Sequence, residues 1–232
     1  MNPRTVVILM TGLLLLATGL SADVIPVNNP SFEDTMGVSF LSCSPPSPCQ
    51  YSVGGVPQWT STLAVESGLF QPGPPANQTI FSFVPDGTTT AFEGFGLPGD
   101  PASTLSQTVG ATVVNGFIYT LTVELGQRFD LPFGSSADLL LTGAGGSTMM
   151  FPAIGTVPTP GNWSTFTATF TGSAATAGDS ITIQLVGTGG PQGNFDNVHL
   201  SAVPEPGYVG LLALGLVGLL AIAYFSRRRT AR

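Results

Sequence analysis

Phe117-Ile118-Tyr119-Thr120-Leu121-Thr122-Val123-Glu124-Leu125 is the stretch that decides the fold. Phe117, Tyr119, Leu121, Val123 and Leu125 alternate with Ile118, Thr120, Thr122 and Glu124, apolar on one side and mostly polar on the other. A period of two belongs to a strand with one face buried and one face wet. The same period recurs downstream. Phe166, Ala168 and Phe170 alternate with threonines, and Ile181, Ile183 and Leu185 alternate with Thr182 and Gln184. Residues 80–84, 103–109, 137–142 and 195–200 are shorter strand candidates. Turn residues separate them, among them Pro85-Asp86-Gly87, Pro98-Gly99-Asp100 and Asn115-Gly116. Glycine and proline, with many serines and threonines, punctuate the whole body. No uninterrupted amphipathic helix and no internal repeat interrupts this pattern. Regular short strands joined by turns predict an all-β antiparallel sandwich.

The charge is as uneven as the periodicity is regular. The chain has 232 residues, a net charge of −7 and no lysine. Five of its six basic residues, Arg4, Arg227, Arg228, Arg229 and Arg232, lie near the termini. Only Arg128 stands in residues 23–202, against twelve acidic residues. Phosphate neutralisation needs clustered Lys and Arg, so this body does not suit nucleic acid or an anionic membrane surface. Divalent cations and neutral glycans suit it better.

The two ends read as targeting segments. Residues 1–4 carry one positive charge, residues 5–20 are apolar, and Gly19-Leu20-Ser21 places small residues for a signal peptidase. A signal peptide over 1–22 is the reading, with residues 23–202 as one exported domain. At the other end an uncharged apolar run covers residues 207–225. Its 19 residues, at about 1.5 Å each, would span roughly 28 Å as a single transmembrane helix. The basic residues 227–232 behind it would stay cytoplasmic, leaving the body outside.

Val203, Pro204, Glu205 and Pro206, then the apolar run, then Arg227, Arg228 and Arg229 together resemble the PEP-CTERM sorting signal of Gram-negative bacteria. The resemblance covers residues 203–232. It implies recognition and removal by exosortase, a membrane-embedded transpeptidase-like enzyme, and residence in the bacterial cell envelope. The prolines favour an extended, solvated backbone that such an enzyme could grip.

Within the body, Asn28-Asn29-Pro30-Ser31-Phe32-Glu33 stands near the start and Asn194-Phe195-Asp196-Asn197-Val198-His199-Leu200 near the end. With Leu105-Ser106-Gln107-Thr108 and the stretch around Leu121 between them, this order resembles jelly-roll, galactose-binding-like domains of the carbohydrate-binding-module type. In that family the first strand carries the Asn-x-x-Phe-Glu. The resemblance implies a structural calcium held by Glu33 and Asp196, with Asn28 and Asp34 as weaker candidates. Hard oxygens of this mixed type are what calcium takes. A turn-capping role is the alternative for both carboxylates.

A sugar site needs aromatic faces beside polar groups. Trp59, Trp163 and Tyr51 are the first candidates, with Phe70, Phe129 and Phe133 behind them and Gln58, Arg128 and Asp130 as hydrogen-bonding partners. Core packing is the competing role of each ring. Cys43 and Cys49 enclose Ser-Pro-Pro-Ser-Pro and, after export, would close a disulfide over a stiff surface tip. Without partner histidines they make a poor zinc site. Catalysis has little support. His199 is the single histidine, and neither Gly-x-Ser-x-Gly nor His-Glu-x-x-His occurs. The sequence therefore reads as an exported, non-enzymatic protein that binds extracellular polysaccharide. A structural or adhesive matrix protein is the alternative, and a glycoside hydrolase the least favoured.

Overall fold

The computed structural model describes residues 22–43, 48–73, 80–94, 102–188 and 192–205, with the isolated glycines 207, 215 and 218. In chain order its strands are β1 (Asp23–Ile25), β2 (Leu41–Ser42), β3 (Gln50–Tyr51), β4 (Thr60–Ser61), β5 (Ser67–Gln71), β6 (Thr90–Glu93), β7 (Ser103–Thr112), β8 (Phe117–Gly126), β9 (Ser135–Thr142), β10 (Thr148–Pro152), β11 (Trp163–Thr171), β12 (Ser180–Gly187) and β13 (Gly193–Pro204). One turn of 3-10 helix, Ala64–Glu66, precedes β5.

The strands form two antiparallel sheets. The eight-stranded sheet runs β11-β8-β13-β6-β5-β3-β2, with β1 also on β13, and the five-stranded sheet runs β10-β9-β12-β7-β4. This is the all-β antiparallel sandwich that the alternation predicts, with the jelly-roll-like arrangement that the resemblance implies. Tyr119, Leu121, Val123 and Leu125 face inward, and meet Leu139, Leu141, Ile181, Ile183, Leu185, Phe166 and Phe195 in one core. Each such side chain contributes about 1.5–3 kcal/mol on leaving water. On the outer face, Thr120, Thr122 and Glu124 pair with Thr169, Thr167 and Thr165. His199 is exposed opposite Thr122.

Strand β13 is paired along both edges. On one side it meets β8 over its length; on the other, residues 193–195 meet β6 and residues 200–202 meet β1. The ladder slips between Asp196 and His199, where Asn197 takes φ 50°. A bulge of this kind re-aims the side chains beside it. In the gap, Val198 N donates to Pro30 O at 2.9 Å.

Three expectations change. Asn28 to Glu33 is a turn after the first strand, not part of it; Asn29 and Phe32 have positive φ, and Pro30 offers no amide. Residues 80–84 form no strand. Instead Phe81 packs on Trp163, with centroids 4.7 Å apart, and on Phe70, over the outer face of the larger sheet. The body also runs past residue 202. Val203 and Pro204 pair with Ile118 and Phe117, and Glu205 N donates to Gly116 O at 2.8 Å. A proline is tolerated at the end of a strand, where its missing donor breaks no ladder.

Residues 1–21 of the expected signal peptide (1–22), with Pro206, Arg227, Arg228 and Arg229, lie outside the described residues. So does the apolar run 207–225, apart from three glycines with helical backbone. No helix among the described residues is long and apolar enough to cross a membrane.

Cys43 and Cys49 form a disulfide, and Cys43 N donates to Cys49 O at 2.9 Å. Closing so short a loop stabilises by about 2 kcal/mol in the chain-entropy model. Cys43→Ser should therefore fold and melt several degrees below wild type. Leu121→Ala should cost about 2–5 kcal/mol in a denaturant titration, because its cavity lies at the centre of the core.

Candidate functional site

The bulge in β13 aims Asp196 outward, under the loop that precedes β6. Its Oδ2 accepts from Asp86 N at 3.0 Å and its Oδ1 from Asn197 N at 2.8 Å. The side chain is 0% exposed, and no cation among the described residues faces it. Burial pushes its carboxyl up to about 8, against the lowering effect of those two amides, with Asp86 and Glu33 adding like charge. Glu33 reaches the same loop from the turn after β1. Its Oε1 accepts from Thr88 N at 2.7 Å and Thr89 N at 2.6 Å.

The structure thus brings Glu33 and Asp196 to one loop, as the sequence suggests, and both cap its amides. It does not join Asn28 or Asp34 to them. Asn28 is tied through its backbone to Gln107, by an amide donating at 2.7 Å and a carbonyl accepting at 2.9 Å. Asp34 accepts from Gln58 Nε2 at 2.6 Å and from Met36 N. Among the described residues, no three His, Cys, Asp or Glu side chains are grouped to hold a metal ion.

The aromatic candidates divide. Trp59 is 7% exposed, packs on Phe32 and donates to Asn29 O at 3.3 Å. Trp163 is 8% exposed, with its indole lying on Gly126, where a Cβ would fall 2.7 Å from the ring. Both tryptophans are buried with no open face to stack a sugar: Trp59 in the core between the sheets, Trp163 in the aromatic layer with Phe81 and Phe70. Tyr51 is half-buried beside Phe70, and Phe133 stacks on Phe166.

Among the described residues, the rings that face solvent are Phe83, 46% exposed, and Phe129, 51% exposed. Their segments are stitched together. Phe129 N donates to Ile80 O at 3.0 Å, Ser82 N to Gly161 O at 2.7 Å, and Trp163 Nε1 to Phe83 O at 2.9 Å. Beside them Arg128 makes a forked pair with Asp130, at 2.8 and 2.7 Å, and donates to Gln192 at 2.9 Å. Its guanidinium lies over Phe70, 6.0 Å from the ring centre. That pair holds the Asp130 carboxyl below the ordinary range, mainly through its hydrogen bonds to Arg128. Phe129, Arg128 and Asp130 were legible as candidates. Phe83 and Gln192 were not, because each lies in a stretch with no motif.

A second buried carboxylate also escaped the sequence reading. Glu93 ends β6 on the core side, 0% exposed, and burial pushes it up to about 7. No pattern marks it, since a Glu at a strand end looks like a solvated one.

The described sandwich corresponds to a known family. The model for the HpiC1-like family, described as HpiC1 cyclase, matches residues 23–201, and the chain belongs to that family. No curated protein matches it. Among solved structures it is similar to the tandem CBM22-1-CBM22-2 domain of Paenibacillus barcinonensis Xyn10C, with a TM-score of 0.51 and 11% identity, over 82% of this chain and 49% of that one. It is also similar to TmCBM61 in complex with β-1,4-galactotriose, with a TM-score of 0.42 and 18% identity, over 76% of this chain and 97% of that one. The first likeness agrees with the sandwich described here.

Asp196 and Glu93, the two carboxylates that burial raises furthest, set a pH dependence. Folding raises both, so the folded state binds more protons than the unfolded chain between about pH 4 and pH 8. Stability is then greatest at the acid end of that window and falls as pH rises, by at most about 1.4 kcal/mol per unit for each group. In chelator, the melting temperature should decline from about pH 5 to pH 8. Asp196→Asn should flatten the upper part of that decline and exceed wild type at pH 8. A curve that rises over the window would contradict the assignment.

Proposed function

We propose that this chain is an exported, non-catalytic polysaccharide-binding protein of the bacterial envelope. The observation that carries this reading is the pair of solvent-facing rings, Phe83 and Phe129, beside the Arg128–Asp130 fork. Aromatic faces stack on the apolar faces of sugars, and a fixed carboxylate next to them accepts from sugar hydroxyls. The acidic body favours a neutral glycan over an anionic one. A glycan array and affinity electrophoresis on the full chain in mild detergent test it. Phe129→Ala should weaken retention about tenfold or more, from the loss of one buried aromatic face, without lowering the melting temperature appreciably. Unchanged retention, or no binding to any glycan, favours a structural or adhesive matrix protein instead.

The family's description as a cyclase supports a second reading, in which the chain is an enzyme. Asp196 and Glu93 favour it, because carboxyls pushed up to about 8 and about 7 stay partly protonated at neutral pH and can act as acids. Both are sealed from solvent, so a substrate would have to displace the loop over Asp196 or part the sheets at Glu93. The exposed platform needs no such opening, which is why binding ranks first. A hydrolase would need two carboxylates facing one cleft, and ranks last.

Calcium at Glu33 and Asp196 belongs to this reading as a structural ion. The donor type fits, because Asp196 is a hard-oxygen ligand buried without a compensating charge. Glu33 would share the ion across the loop, tying the turn after β1 to β13. An ion bound only by the folded state at a hundredfold over Kd adds about 2.7 kcal/mol. Calcium should raise the melting temperature of wild type, and chelator should remove the increment. Glu33→Gln should reduce that response.

Delivery would follow the PEP-CTERM signal, with exosortase as partner and the apolar run 207–225 as its membrane segment. Val203 and Pro204 are paired in β13, so removal of the chain beyond them would leave the sandwich whole. Intact mass of protein from the native host should lack the apolar run and the arginines. A mass that retains them means a permanent membrane anchor.

A further inference from the structure

The closing residues of β13 are held as sheet and are also the start of the Pro-Glu-Pro stretch. Val203 and Pro204 pair with Ile118 and Phe117 of β8, and Glu205 N donates to Gly116 O at 2.8 Å. In an antiparallel pair, backbone groups turn toward the partner at every second residue. Glu205 bonds on the β8 side, so Val203 turns the same way, and Pro204, which has no amide to give, turns away. The proline therefore removes no bond from this ladder. All three residues are half-buried. The extended backbone that the prolines favour is thus the strand conformation itself, and its solvation is what the pairing takes away.

The acceptor of that last bond is fixed from two sides. Gly116 takes φ 76°, a conformation open to glycine, and its N donates to Gly172 O at 2.8 Å. Gly172 N donates in turn to Phe117 O at 2.8 Å, and Phe117 packs against the core. The turn before β8, the end of β11 and the end of β13 are therefore one hydrogen-bonded unit. Only Pro206 stands between Glu205 and the apolar run. Two residues reach at most about 7 Å, which leaves no slack between the sandwich and that run. A partner of the Pro-Glu-Pro stretch must take residues that the sandwich already holds.

We propose that the closing end of β13 masks the sorting motif, so that the folded sandwich and the processing enzyme compete for Pro204 and Glu205. The proposal rests on the reading of residues 203–232 as a processed sorting signal. An enzyme that grips and cuts a folded chain takes it from a locally opened state, and acts in proportion to how often that state forms. Opening here means releasing Glu205 N from Gly116 O, and Val203 and Pro204 from β8. The core stays closed, because Val198, Leu200 and Ala202 precede the released residues. Loss of one such hydrogen bond raises the open population about fivefold. The rate of processing is then set by the turn at Gly116, a residue outside the motif.

Pulse–chase labelling of the full chain in its native host, read by intact mass, tests this. Gly116→Ala strains the turn at its positive φ and should speed processing several-fold. Gly146, at φ 78° in the turn between β9 and β10, is the matched control, and Gly146→Ala should be processed at the wild-type rate. Gly-Ser-Gly-Ser inserted between Val203 and Pro204 keeps Pro204, Glu205 and Pro206 at their spacing from the apolar run but frees them from the sheet. That insertion should speed processing about tenfold or more. Hydrogen exchange on the full chain in mild detergent should find Glu205 N protected in wild type and unprotected in Gly116→Ala. If wild type, Gly116→Ala and the insertion are processed at one rate, the masking is overturned and the sorting signal still stands. Slower processing of the insertion overturns it too, since the enzyme would then be reading the folded end. A wild-type chain that keeps its apolar run and arginines removes the sorting signal itself, and the masking with it.

Discussion

The ladder between β8 and β13 is the contact on which the rest of the structure hangs. β8 supplies the inward row Tyr119, Leu121, Val123 and Leu125, and β13 supplies Phe195, Val198, Leu200 and Ala202. β11 adds to the free edge of β8, and β6 and β1 divide the free edge of β13 between them. Because side chains alternate, a slip of one residue between β8 and β13 would turn one whole row to solvent. The ladder absorbs its irregularity at one place, the bulge at Asn197. That place is where Asp196 leaves the regular pattern and becomes chemically distinctive.

A body with so few cations cannot neutralise its buried acids internally. Asp196 and Glu93 lie on opposite faces of the larger sheet, and each is surrounded by hydrogen-bond donors and like charge instead of an ion pair. Two routes relieve such a group: a proton, or an ion from solution. The first leaves a neutral acid at neutral pH and a protein that loses stability as pH rises. The second converts the same cost into a demand for cations. Both carboxylates cap or face the ends of strands, so either route acts on how the sandwich closes and not on its core.

Period-two alternation made β8, β11 and β12 legible, because each has one wet face and one dry face. It also made the inward residues of the core legible. It failed at residues 80–84, where Ile80, Phe81 and Phe83 read as a strand. Their apolar side chains cover a second aromatic layer with Trp163 and Phe70, and burial of that kind leaves the same signal as sheet pairing. The turn at Asn28–Glu33 was read as strand because the positive φ of Asn29 and Phe32 leaves no trace in residue type. Of the candidate site, Asp196, Glu33, Phe129, Arg128 and Asp130 could be named from motifs or exposure arguments. Glu93 could not, since its burial depends on Gly187, a residue of the opposite sheet nearly a hundred positions away. Trp59 and Trp163 were candidates for which core packing was the competing role, and contacts made across the chain, which residue type does not reveal, bury them.

The strand at the middle of the larger sheet is also the last to be made. β13 comes after the other twelve strands in the chain, and the sheet has no continuous ladder until it arrives. A chain that emerges N-terminus first must therefore hold β6, β8 and β1 apart, with unpaired edges, until nearly all of it has been delivered. The larger sheet then closes late, and the waiting edges are exposed to neighbours of the same kind. The arrival of β13 marks the moment at which the larger sheet becomes continuous.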